Sequence, residues 1–93
     1  MDKLKLDLQY QCGKVVDYLE KNYANQLNFN GPLKSIYNKF LIAIEKIQFN
    51  ESIKSITFNG CVRMFVDDTT DYESSVIKDI EKSEQMLKEL QGK

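Results

Sequence analysis

The residues whose types and spacing could carry chemistry fall in one stretch, Cys61, Arg63, Asp67, Asp68 and Asp71. A catalytic thiolate needs a neighbouring cation or base to lower its pKa, and on a strand Arg63 would share a face with Cys61. Histidine is absent from all 93 residues, which removes Ser-His-Asp and Cys-His machinery. The three aspartates could hold a hard cation, but they lack the glycine and distal glutamate of a calcium loop. Turn formation and helix capping account for them more simply. Cys12 and Cys61 lie far apart and in no zinc-ligand spacing, so each is read as a small buried hydrophobe in a reducing cytosol. The four glycines form neither a G-x-G-x-x-G nor a Walker pattern. These residues predict a protein that is not an enzyme and has no metal and no cofactor.

Composition limits the elements that could position them. A chain of 93 residues fits one small domain, and 42% hydrophobic with 29% charged residues is an ordinary globular balance. No apolar run approaches the roughly 20 residues that span a bilayer, and the N-terminus lacks a signal-peptide core. A soluble cytoplasmic protein of bacterial type, without membrane contact, is expected. Arg63 is the one arginine among thirteen bases, which gives nucleic-acid binding little support.

The most continuous apolar stretch is Leu33, Ile36, Tyr37, Phe40, Ala43, Ile44 and Ile47, at helical steps of three and four. It predicts a buried helix over about 31–48, with Asn30 as its cap and Pro32 in its first turn. Residues 3–10 carry two patterns: Leu4, Leu6, Leu8 and Tyr10 alternate as in a strand, whereas Leu4, Leu8, Cys12, Val15, Val16, Leu19 and Tyr23 form a helical stripe. A helix over about 3–24 is preferred, because leucine favours helices more than strands. The connection 22–30, with four asparagines, is expected to tuck Leu27 and Phe29 onto the core.

After Phe49 the pattern changes. Ile53 to Phe58 and Cys61 to Val66 are rich in β-branched and aromatic residues and flank Asn59-Gly60, the pair suited to a type I′ turn. A β-hairpin over about 53–66 follows, with Phe58 opposite Cys61 and Ile56 opposite Arg63. Thr70 and Glu73 have the spacing of a capping box, so a last helix is expected over about 71–91, with Tyr72, Val76, Ile80, Ser83, Leu87 and Leu90 inward. The expected fold is α+β, in the order helix, helix, hairpin, helix. The alternative is an all-α bundle of three or four helices with an irregular middle segment.

Asp67 to Glu89 contain eight acids against three lysines, a local balance of −5. A solvated helix face explains this. An acidic face beside an incompletely covered hairpin would also suit a basic protein partner, met by electrostatic steering. The residues expected at that contact are Arg63, Met64, Asp67, Asp68, Asp71 and Glu73. Of the tyrosines, Tyr10 and Tyr18 are the better surface candidates. The leading expectation is a non-enzymatic protein-binding module, such as a small inhibitor, immunity or accessory protein. A homodimer that covers the hairpin with its own copy is the second reading. A carboxylate or metal enzyme ranks third and nucleic-acid binding fourth.

Overall fold

The computed structural model describes residues 3–70 and 73–92. Its elements are α1 (Lys3–Asn22), a 3-10 turn (Gln26–Asn28), α2 (Pro32–Gln48), α3 (Cys61–Thr69) and α4 (Ser75–Gln91). Among the described residues there is no strand, so the α+β expectation is corrected to a helical bundle. The first helix packs along both α2 and α4, and the short α3 closes the core against α2 and α4.

The two patterns in residues 3–10 are separated by burial. A strand would place Leu6 and Leu8 on one face, but Leu8 is fully buried while Leu6 is 46% exposed. Leu8, Cys12, Val15 and Leu19 instead form one inward stripe of a helix. They meet Leu33, Ile36, Phe40, Ala43 and Ile47 of α2 and Val76, Ile80 and Leu87 of α4 in one apolar cluster. Between α1 and α4 runs a polar seam. Gln11, 3% exposed, donates to Asp79 at 2.7 Å, and the Ser83 hydroxyl donates to the Asp79 carbonyl at 2.8 Å. Pairing these buried groups avoids the cost of leaving them unsatisfied.

Pro32 lies in the first turn of α2, as its fixed φ favours, but the cap is the Gly31 backbone and no side chain caps the helix. Asn30 therefore does not play the capping role expected of it. At the other end, Asn50 takes φ 56°, its N–H donating to the Ile47 carbonyl and that of Glu51 to the Lys46 carbonyl. This is a Schellman motif with asparagine in the left-handed position.

The expected hairpin does not form. Gly60 does adopt a positive φ, 79°, but it opens α3, and Cys61 and Phe65 are buried four residues apart on one face of that helix. Residues 51–58 form no strand and are interrupted by a turn at Lys54–Ser55, in which the Ile56 N–H donates to the Ile53 carbonyl at 3.2 Å. They insert Ile53, Ile56 and Phe58 into the core, and Phe58 stacks on Phe40 with ring centroids 4.2 Å apart and planes 2° from parallel. The reason is burial. A two-stranded hairpin would leave apolar groups on both faces, whereas this arrangement buries Phe58, Cys61 and Phe65 together and turns Arg63, Asp67 and Asp68 outward. The difference in β-propensity, about 1 kcal/mol across the scale, is too small to oppose that gain.

The last helix also starts later than its expected position near residue 71. Thr70 ends α3 in the left-handed region, φ 57° and ψ 17°, and its N–H donates to the Val66 carbonyl. Ser74 caps α4, accepting from the Val76 N–H at 3.3 Å, and donates its own hydroxyl proton to Tyr18 at 2.8 Å. The proposed capping box thus gives way to a serine that also ties α4 to α1. Asp71 and Tyr72 lie outside the described residues. No helix among the described residues is long and apolar enough to cross a membrane.

Candidate protein-binding site

Residues 61–69 place the candidate contact residues on a helix, where side chains three and four apart are neighbours. Arg63 reaches Asp67 at 3.8 Å, and both side chains are largely exposed, at 87% and 67%. A pair so solvated contributes little to stability and remains free to exchange partners. Met64 is half-buried against the core, which removes it from the front of the site. Asp68 is exposed, and Glu73 is exposed in the turn before α4. Asp71 lies outside the described residues.

Asp68 meets a part of the chain that is remote in sequence. It lines a notch with Gln26, Phe29, Asn30, Gly31, Pro32 and Leu33, of about 230 Å³. Leu27 is buried beneath this connection at 8% exposure, whereas Phe29 stands out at 72%. The expectation that both tuck onto the core is corrected for Phe29. The extended conformation of Phe29, φ −123° and ψ 148°, breaks the short 3-10 turn. Leu27 therefore takes the inward position, and the next apolar side chain is left outside. An exposed aromatic ring beside a carboxylate suits a cationic side chain, whose methylene stem lies on the ring while its charge meets the acid. The notch is below the about 300 Å³ typical of small-molecule pockets, and its scale is that of one side chain.

The two cysteines occupy different surroundings but share a cause of inertness. Both are buried and unpaired. Burial pushes the Cys12 thiol up to about 12 despite a hydrogen bond with Ser83. Burial also raises Cys61, partly opposed by the charge of Lys39. Neither is a thiolate at neutral pH, so neither is poised as a nucleophile. Among the described residues no group of three or more His, Cys, Asp or Glu side chains converges on a metal position.

Of the tyrosines named as surface candidates, Tyr10 is 69% exposed, but Tyr18 is half-buried, bonded to Ser74 and packed against Tyr23 with centroids 6.2 Å apart. Phe29 was missed by reasoning from periodicity. The available signal was its isolation: it sits between Asn28 and Asn30, outside both helical stripes. A family model described as YeeD uncharacterised protein matches residues 2–93. The chain belongs to this family. The Phe29–Asp68 notch thus falls wholly inside the region matched by the YeeD model. No curated protein and no solved structure matches the chain.

A second groove, of about 200 Å³, is lined by Lys39, Ile42, Lys46 and Ser55–Thr57. Its two lysines give it the opposite charge, and Ile42 is 48% exposed in its wall. It has no aromatic surface among its lining residues.

Proposed function

We propose that this protein is a non-enzymatic binding module that docks a basic segment of a protein partner on the Phe29–Asp68 notch. The observation that carries the reading is the juxtaposition of a phenylalanine at 72% exposure with Asp68 in a notch the size of one side chain. An arginine or lysine of the partner lays its stem on Phe29 and directs its charge to Asp68. Asp67, four residues beyond Arg63, and Glu73 add negative potential that speeds encounter. The module is cytoplasmic, and its two buried free thiols support a reducing compartment. Its role is that of a small inhibitor, immunity or accessory protein, which works by occupying the basic surface of its target.

The test is a titration of isotopically labelled protein with a short arginine-glycine peptide, followed by two-dimensional NMR at low salt. Amide shifts should concentrate on Gln26–Leu33 and Asp68. Phe29→Ala and Asp68→Lys should each weaken the peptide by about tenfold, the size of one good anchor contact. Shifts spread along α4 alone, or unchanged by either substitution, would remove the notch as the docking site.

A further inference from the structure

Helix α1 carries a stripe on the side away from its core face, made of the exposed Lys3, Leu6, Tyr10, Lys14 and Asp17 with the half-buried Gly13 among them. Leu6 and Tyr10 are 46% and 69% exposed, two large apolar side chains one turn apart that lie outside the buried core of the described residues. Asp7 flanks the same stripe. We propose that α1 pairs antiparallel with α1 of a second copy, about a two-fold axis that passes at Tyr10.

Charge order selects both the occupant and the direction. Lys3 and Asp17 lie equally far on either side of Tyr10, and Asp7 and Lys14 lie nearly so. Reversing one copy about Tyr10 sets Lys3 of each chain against Asp17 of the other, and Asp7 against Lys14. Both of these facing pairs are then attractive and, by symmetry, each occurs twice. A parallel pairing sets like charge against like along the whole stripe. The ion pairs among the described residues, Arg63–Asp67 and Glu84–Lys88, use none of these four groups.

Gly13 fits the same geometry. A Cβ built there meets nothing within 4 Å, so the chain's own packing does not call for glycine at this helical position. Across the axis Gly13 stands level with Leu6 and Asp7, where the missing side chain leaves room for leucine. The Lys14 amine lies 5.0 Å from the Tyr10 ring centre and closes the edge of the seam. One helix face per chain is a small interface, so the dimer is weak and dissociates on dilution. This surface is separate from the Phe29–Asp68 notch.

Sedimentation equilibrium from about 10 µM to about 1 mM tests the pairing across the range where such weak complexes form. The wild-type chain should pass from monomer to dimer. Asp17→Lys should weaken association by about tenfold, since two attractive contacts become repulsive, and the double variant Lys3→Asp, Asp17→Lys should restore it. All substituted side chains are exposed, and helical circular dichroism checks that each variant folds. Under mild oxidation Tyr10→Cys should form a disulfide between chains, while the buried Cys12 and Cys61 of the wild type should not. A monomer at every concentration, or a dimer that the charge reversal neither weakens nor restores, overturns the proposal.

Discussion

Gln91 donates from its side-chain amide to the Ile56 carbonyl at 2.8 Å, across 35 residues of sequence. The same nitrogen reaches the Ile53 carbonyl at 2.9 Å. The last turn of α4 therefore supplies a side-chain donor to the two carbonyls that flank the Lys54–Ser55 turn. Residues 51–58 are thus held without a sheet: the Ile53 and Ile56 carbonyls are bonded to the Gln91 side chain, and Ile53, Ile56 and Phe58 are buried in the core.

Gln91→Ala should destabilise the protein by about 1–3 kcal/mol, because it takes the Gln91 donor from the part-buried Ile56 carbonyl and leaves the Ile53 carbonyl with only the turn bond from the Ile56 N–H. Urea denaturation measures the loss. Amide exchange should quicken around Ile53–Phe58 and stay slow in α1. An unchanged midpoint would mean that water replaces Gln91 at no cost.

Two phenylalanines should respond to truncation to very different extents. Phe58→Ala removes a ring that is 1% exposed and stacked on Phe40, and should cost about 3–5 kcal/mol. Phe29→Ala removes a ring that is 72% exposed and should change stability by less than about 0.5 kcal/mol. Thermal melts of the two variants decide the matter, and a large loss for Phe29→Ala would assign that ring to the fold instead of the docking notch.

The buried thiols predict a falling stability in alkali. Cys12 has its pKa raised from 9.0 to about 12 in the folded chain, so above pH 9 the unfolded chain loses this proton first. Stability from this group is complete below pH 9 and declines towards about pH 12, by up to about 1.4 kcal/mol per pH unit. Cys61 is shifted in the same direction and adds to the decline. Urea midpoints at pH 8 and 10.5 should fall more steeply for the wild type than for Cys12→Ala. Equal slopes would show that the thiol is not desolvated by folding.

Thr70 holds φ 57°, a left-handed conformation that a β-branched side chain resists. Thr70→Gly should raise stability by about 0.5–1 kcal/mol, the part of the strain that outweighs the greater freedom of glycine in the unfolded chain. A differential scanning calorimeter would record the higher Tm. A lower Tm would indicate that the hydrogen bond from the Thr70 hydroxyl to the Thr69 carbonyl, at 2.6 Å, contributes more than the strain removes.

Much of the core was legible because a helix repeats its face every three or four residues. Leu33, Ile36, Phe40, Ala43 and Ile47 advertise such a face, and they are the buried residues of α2. Val76, Ile80, Ser83 and Leu87 do the same in α4. The candidate site was legible only in part. Its acidic member Asp68 stood out in a local charge pattern, but its aromatic member Phe29 belongs to a connection far away in the chain. Sequence spacing carries no distance between them.

By itself, the sequence determined the inward stripes of α1, α2 and α4, the absence of histidine chemistry and the acidic balance of the C-terminal part, since each follows from residue type and local period. Asn59-Gly60 likewise specified a positive φ at Gly60. Only the tertiary structure decided whether that turn would reverse a hairpin or open a helix. The local signals favoured the hairpin, and they were outweighed by the surface that Phe58, Cys61 and Phe65 could bury against helices remote in sequence.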